Sequence, residues 1–290
     1  MTSIQGKTVE NQHLVVRHSQ HMLSIYRRGA EAPLLTQQAH PNRRPYLHPI
    51  AAPDGRGVLT EDAPAHHPWQ HGLYVGLNQV NNWGFWTEGL TNSPNDGTFH
   101  PEGISDVQLA DNEAGWVVKT AWCEPAGDRL LTERQSWSLR DRNTVYELDL
   151  EWTLTAEKAI TFGSYSYGGL FLRMPYREDQ GGSFLSSNGL SKEEADGQRA
   201  RWAAVSMRVE GRDDYAGMAI LDHDENEEHP SPWRVDGQLG ISPSRCIAGA
   251  WSLAKGESKR SRYRIYLFCG AREAAEMEAN WRRYTGGEHK

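Results

Sequence analysis

Val145-Tyr146-Glu147-Leu148-Asp149-Leu150-Glu151-Trp152-Thr153-Leu154 alternates without a break. Leu148, Leu150, Trp152 and Leu154 fall on one face, and Glu147, Asp149, Glu151 and Thr153 on the other. Side chains of a strand alternate between faces, so this period of two marks a half-buried antiparallel strand. Trp116, Val118, Thr120 and Trp122 repeat the pattern, as do Tyr263, Ile265, Leu267 and Cys269 with Arg262 and Arg264 facing out. Leu131, Gln135, Trp137 and Leu139 follow it less cleanly. Shorter strands are expected at His13–Arg17, Met22–Arg27, Ile160–Tyr167, Trp202–Val209 and Met218–Leu221.

Turn signals such as Pro53-Asp54-Gly55, Asn95-Asp96-Gly97 and Asp236-Gly237 separate these runs. Many short strands with regular turns predict an all-β fold, a large antiparallel β-sandwich. One helix is expected over Ala271–Tyr284, where Ala274, Met277, Trp281 and Tyr284 recur at helical spacing before Gly286-Gly287. Gly29–Arg44, Ala51–Pro68 and Arg177–Gln198 read as long loops. Without a linker or repeat, residues 1–290 read as one sandwich domain carrying a packed C-terminal helix.

The net charge of −7, from 38 acidic and 31 basic residues, argues against nucleic acid as a partner. No apolar run approaches the roughly 18 residues of a membrane span, and no apolar signal segment follows Met1. Cys123, Cys246 and Cys269 are odd in number and form no CxxC pair, so they read as small buried apolar groups in a reducing cytoplasm. A homodimer is left open.

Four of the twelve histidines lie between positions 48 and 71. His67-Pro68-Trp69-Gln70-His71 sits in an aromatic stretch closed by Trp83-Gly84-Phe85-Trp86-Thr87-Glu88. Imidazole suits proton transfer near neutral pH and also metal binding. A divalent metal held by His67 and His71 is one reading of their spacing. Pro68 stands where the helical zinc motif needs glutamate, which weakens it. His48, held extended by Pro49, and Glu88 at the end of the aromatic run join the acid/base candidates. Trp69 and Trp86 could stack on a sugar ring.

A second cluster begins at Tyr165-Ser166-Tyr167-Gly168-Gly169, read as a strand that continues to Arg173. Paired glycines in a strand predict a bulge or a close backbone approach. Arg173, a cation in an apolar run, predicts a carboxylate partner in the protein or a ligand. Asn226, His229 and Trp233, the last two in a proline-stiffened segment, follow. The expected catalytic set is thus His67, His71, His48, His229 and Glu88. Arg173, Trp69, Trp86, Tyr167, Asn226 and Trp233 are expected to bind substrate.

Tyr46-Leu47-His48-Pro49, His67 to Leu73, Gly84-Phe85-Trp86, Tyr167-Gly168-Gly169 with Arg173, and Ile220 to Trp233 together resemble a bacterial family that carries the name methane oxygenase PmoA-like. That resemblance implies a galactose-mutarotase-like supersandwich and a carbohydrate substrate. The family name fits poorly, since a mean hydropathy of −0.71 is unlike a membrane-embedded oxygenase subunit. The chain departs from many members at His66 and at Trp69-Gln70-His71, so the resemblance carries to His67 more firmly than to His71. Three functions compete: a sugar lyase or epimerase using histidine acid/base chemistry, a non-catalytic sugar-binding sandwich, and a metal-dependent oxygenase.

Overall fold

The computed structural model describes residues 6–286. The first half of the chain contributes β1 (Lys7–Glu10), β2 (Leu14–His18), β3 (Met22–Arg27), β4 (Leu35–Gln38), β5 (Tyr46–Ile50) and β6 (Leu73–Gly76). A long meander follows: β7 (Thr98–Ala110), β8 (Glu113–Cys123), β9 (Arg129–Asp141) and β10 (Val145–Ala156). Then come β11 (Ile160–Phe162), β12 (Gly169–Leu172), β13 (Ser183–Ser186), α1 (Lys192–Ala195), β14 (Trp202–Met207), β15 (Ala216–Asp222) and β16 (Trp233–Val235). The chain closes with β17 (Ile241–Pro243), α2 (Arg245–Ala248), β18 (Trp251–Leu253), β19 (Ser258–Cys269) and α3 (Ala274–Thr285).

β10 buries every second residue, as its sequence requires. In register, Leu148 faces Leu139 of β9 and Ile265 of β19, and Leu150 faces Trp137 and Tyr263. On the opposite face Asp149 accepts two hydrogen bonds from Arg264, at 2.6 and 2.7 Å. These strands belong to an eight-stranded antiparallel sheet, ordered β13-β14-β15-β19-β10-β9-β8-β7. It packs against a nine-stranded sheet ordered β1-β2-β3-β4-β5-β6-β12-β17-β16. One hydrophobic core joins the inner faces of both, with Val16, Ile25, Leu47 and Leu73 meeting Val118, Leu139, Leu150 and Ile265.

Polar groups interrupt this core in satisfied sets. Glu133 is buried and accepts bonds from the indoles of Trp122 and Trp152 and from Gln135. Burial pushes its carboxyl above the ordinary range, and those donors only partly offset the push. Gln37 accepts from Trp116 Nε1 and donates to Tyr46 O, and Ser24 pairs with Thr36. This pairing is why β4 forms inside the expected Gly29–Arg44 loop. Its Thr-Gln-Gln sequence lacks alternation because the polar side chains are buried with partners. The Arg177–Gln198 stretch likewise contains β13 and α1.

The expected strand Ile160–Tyr167 stops at Phe162, where Gly163 N turns to bond Gln79 O. The next strand starts only at Gly169. Gly168 and Gly169 have φ of 137° and 133°, and a Cβ on Gly169 would lie 2.6 Å from Pro243 O. The paired glycines therefore serve close backbone approach. The C-terminal helix begins at Ala274, three residues later than expected, after Glu273 in extended conformation. Met277, Trp281 and Tyr284 pack on Trp202, Leu221, Tyr266 and Phe268, which covers the outer face of β14, β15 and β19. No helix among the described residues is long and apolar enough to cross a membrane. The three cysteines are free thiols, two buried and Cys269 half-buried.

Candidate functional site: an aromatic cleft over a buried ionic relay

Register places the site on the outer face of the nine-stranded sheet. Tyr46, Tyr74 and Phe171 stand opposite one another on β5, β6 and β12. Leu47, Leu73 and Leu172 make the next row and point into the core, so the aromatic row must point out. Trp86 joins it, with ring centroids 5.4 Å from Tyr74 and 5.5 Å from Phe171, and Trp69 and Tyr167 pack at the edge.

Four charged residues lie against this aromatic layer. Arg44 is fully buried, and its Nε is 2.9 Å from Glu88 Oε1, which also accepts the Arg44 backbone N–H at 2.8 Å. Its Nη2 donates to the carbonyls of Trp69 and Trp86, and its guanidinium lies 4.4 Å from the Tyr74 ring centroid. Gly76 makes room for it, since a Cβ there would sit 2.6 Å from Nη1. His71 donates from Nε2 to Glu88 Oε2 at 2.8 Å and from Nδ1 to Asp62 Oδ1 at 2.6 Å. Tyr46 stacks on its ring, with centroids 4.5 Å apart. Arg44, Glu88, His71 and Asp62 thus form a chain of alternating charge whose outer end, Asp62, is 30% exposed.

Electrostatics follow from this arrangement. Burial opposes charge on Glu88, but Arg44 and the bond from His71 outweigh it and hold the carboxyl down to about 2. Burial likewise opposes charge on His71, yet its bonds to Asp62 and Glu88 raise its pKa above the ordinary 6.5. Glu88 sits at φ 54°, a left-handed conformation that costs a non-glycine residue energy and is kept only where the surroundings impose it.

A pH prediction follows. The raised pKa of His71 gives stability that is complete below about 6.5 and disappears as pH rises through its folded-state value. The lowered pKa of Glu88 gives stability present above the ordinary 4.5 and lost as pH falls through about 2. Urea unfolding at pH 5.5 and 8.5 is expected to show wild type weaker at the higher pH, and His71→Gln less stable but with a smaller loss between the two. Equal pH dependence in both proteins would refute the charged relay.

Beside the relay opens a cleft of about 320 Å³, lined by His67, Trp69, Trp86, Tyr167, Phe171 and Arg234 among others. Asp236 and Gln238 complete its polar side. Arg173, buried next to it, donates to Gln238 Oε1 and to Glu61 Oε2 at 3.3 Å. Its Nη2 touches His66 Nε2 at 2.9 Å, and its Nη1 is 3.6 Å from Asp236. The carboxylate partner demanded by Arg173 is therefore in the protein. Burial, then the neighbouring His66 and Arg173, lowers the pKa of His67. Five buried polar atoms in and around this cleft have no hydrogen-bond partner among the described residues: His67 Nδ1, Trp69 Nε1, Gln70 Oε1, Tyr74 Oη and Arg173 Nη1.

The expected residues therefore divide. His67, Trp69, Trp86 and Tyr167 line the cleft with Arg173 beside it, while His71 and Glu88 are buried in the relay. His48 bonds Thr60 at 2.9 Å and faces a neighbouring groove. The chain does not bring His229 or Asn226 to the cleft. Both bond the buried Asp222, and the His229 ring stacks on Trp281 of α3. Trp233 is core and donates to Ala200 O. The reason is topological: residues 223–232 carry the chain from β15 in one sheet to β16 in the other. Nor can His67 and His71 pair on a metal while both His71 nitrogens are engaged by carboxylates. No group of three His, Cys, Asp or Glu arranged to hold a metal occurs among the described residues.

Fold and site together define a two-sheet β-sandwich with a polar, aromatic-lined cleft on its outer face. Residues 14–282 match the model of a family of unknown function, DUF6807, and the chain belongs to that family. No curated protein matches its sequence. Among solved structures it is similar to a galactose mutarotase related enzyme from Lactobacillus acidophilus, at 11% identity and a TM-score of 0.37, covering 92% of this chain and 98% of the other. A galactose mutarotase-like protein from Lactobacillus casei gives 10% identity and a TM-score of 0.34, covering 91% and 100%. The GH36 α-galactosidase AgaA from Geobacillus stearothermophilus gives 9% and 0.38, covering 92% of this chain and 41% of that enzyme.

Proposed function

We propose that the cleft binds an uncharged sugar and that His67 moves a proton on it. The observation that carries this reading is the set of five partnerless buried polar atoms around an aromatic-lined cleft. Buried polar groups ordinarily have partners, so a cluster without them calls for hydroxyls brought in from outside. Aromatic faces such as Trp69, Trp86 and Tyr167 suit the apolar side of a sugar ring. The charges argue for a neutral ligand: Arg173 is met by Glu61 and Asp236, and Arg234 by Asp196 at 2.7 Å. No guanidinium of the cleft is left to bind a substrate carboxylate or phosphate.

Within that reading, epimerase-type chemistry at a carbon next to a carbonyl fits better than lyase chemistry on a uronic acid. His67, kept neutral by its lowered pKa, would take the C–H proton. Glycoside hydrolysis wants two opposed carboxylates. The cleft lining offers Asp236, whose Oδ1 already accepts the backbone N–H groups of Gln238 and Gly240. The PmoA-like resemblance supports a place in sugar catabolism.

The engagement of both His71 nitrogens favours a second reading, a non-catalytic sugar-binding sandwich, because it leaves His67 as the one acid/base imidazole of the cleft. Titration calorimetry with neutral sugars tests what the two readings share. Binding is expected, and Trp69→Ala is expected to weaken it by up to about tenfold through lost stacking. Neutral sugars that fail to bind, or bind Trp69→Ala unchanged, would sink both. Slow interconversion of a bound sugar, followed by NMR, separates the enzyme from the binding module.

A further inference from the structure

On the far side of the sandwich from the cleft, the outer face of the eight-stranded sheet carries a cavity of about 470 Å³. Arg140 of β9, Arg264 of β19, Arg142 in the turn between β9 and β10, and Arg283 near the end of α3 line it. Strand register explains the convergence. Arg140 pairs with Glu147 across β9 and β10, and Arg264 with Asp149 across β19 and β10, two residues further along the same face. The helix ends at this edge. Its Tyr284 ring centroid lies 4.7 Å from the Arg264 guanidinium, and the neighbouring Arg283 forms one wall of the cavity.

Four guanidiniums here meet one lining carboxylate, Glu147, and three of them share it loosely. It lies 3.3 Å from Arg142, 3.5 Å from Arg140 and 3.8 Å from Arg264. Arg140 and Arg264 are held more tightly by carboxylates that do not line the cavity, Glu113 and Asp149, at 2.6 Å each. Arg283 bonds only the neutral side chain of Asn280 and meets no carboxylate among the described residues. Four cations thus face three anions, a local surplus of one positive charge in a chain whose net charge is −7. Donors are left over as well. Nη1 of Arg142 and both Nε and Nη1 of Arg283 have no acceptor among the described residues.

We propose that this cavity binds a compact dianion, a phosphate group, among Arg142, Arg264 and Arg283. The planar fork of a guanidinium matches paired oxygens of a tetrahedral oxyanion, and several forks around one ion divide its charge between them. A long polyanion would leave the arginines and meet the field of an acidic protein, so a small ion is selected. The cavity is larger than the cleft, so a phosphoryl group on a small organic residue fits as well as the free ion. The site lies on the opposite sheet from the cleft and stands independently of the sugar reading.

Titration calorimetry with inorganic phosphate at pH 8, where the ion is mainly doubly charged, and at constant ionic strength tests it. Saturable binding at one site is expected. Arg283→Ala and Arg142→Ala are each expected to weaken it about fivefold, and both residues are exposed, so the fold is kept. Glu147→Gln removes the competing carboxylate and is expected to tighten it by a similar factor. Arg208→Ala takes one positive charge from an exposed position that does not line the cavity, and is expected to change nothing. Glycerol 3-phosphate, with glycerol as the blank, identifies the source. Tighter binding than inorganic phosphate assigns the site to a phosphorylated metabolite, and equal or weaker binding to the free ion. No saturable phosphate binding to wild type or to Glu147→Gln would overturn the site. So would an affinity that Arg283→Ala and Arg142→Ala change no more than Arg208→Ala does.

Discussion

Glu88→Gln is expected to destabilise the protein by about 3–5 kcal/mol, the range for removing one partner of a buried ion pair. Arg44 and Glu88 are 0% and 4% exposed, so solvent cannot screen the charge that remains. The amide cannot neutralise the guanidinium, and it places an N–H against either Arg44 or His71, both of which donate. Guanidinium-chloride unfolding at pH 6 measures the loss. The cause is the stranded cation rather than lost attraction, so Arg44→Met in the same molecule is expected to recover a large part of it. A loss under about 1 kcal/mol for the single variant, or no recovery in the double, would show that Arg44 finds another partner or water.

His67→Ala is expected to lower turnover by about 10²–10⁴-fold, the usual contribution of a positioned general acid or base. Sugar affinity should change far less, because Trp69, Trp86 and Tyr167 remain. The pH profile gives the sharper test. Burial and the neighbours of His67 lower its pKa below the ordinary 6.5, so wild-type kcat/KM is expected to hold down through that pH before falling. The acid limb should vanish in the variant. His229→Ala, at the far Asp222 network, is expected to leave turnover unchanged. Turnover preserved in His67→Ala would assign proton transfer to another group and overturn the role given to His67.

How far the molecule could be read from its residues depended on where each face points. β10, β9 and β19 have one face in the core and one in water, so alternation exposes them. β5, β6 and β12 are covered on both faces, by the core beneath and the aromatic layer above, and their sequences carry no alternation. The aromatic wall of the cleft was legible in Trp69, Trp86 and Tyr167, because their chemistry is visible residue by residue. Arg44 and Asp62 were not, since each looks like an ordinary loop charge. Arg44 meets Glu88 across 44 positions, and Asp62 meets His71 only because a short ribbon folds back. The arginine at 173 carries the usable clue: its need for acceptors is met in the structure by Glu61, Asp236 and Gln238. His229, between an acidic run and a proline, reads as a site from sequence, while in the structure its Nδ1 bonds Asp222 and its ring stacks on Trp281 of α3.

The strand order carries a consequence for synthesis. β19, the last strand made, lies between β10 and β15 at the middle of its sheet, with Val145 pairing Phe268. A chain emerging from the ribosome can build the β7–β10 meander early, but β10 keeps an unpaired edge until residue 269 is free. An exposed edge of this length invites pairing with other chains. The outward face of β10 carries Glu147, Asp149 and Glu151, which keep that waiting edge hydrated and charged. The same residues that look like surface decoration in the finished sandwich thus protect the nascent one, and the last strand acts as the closing stave.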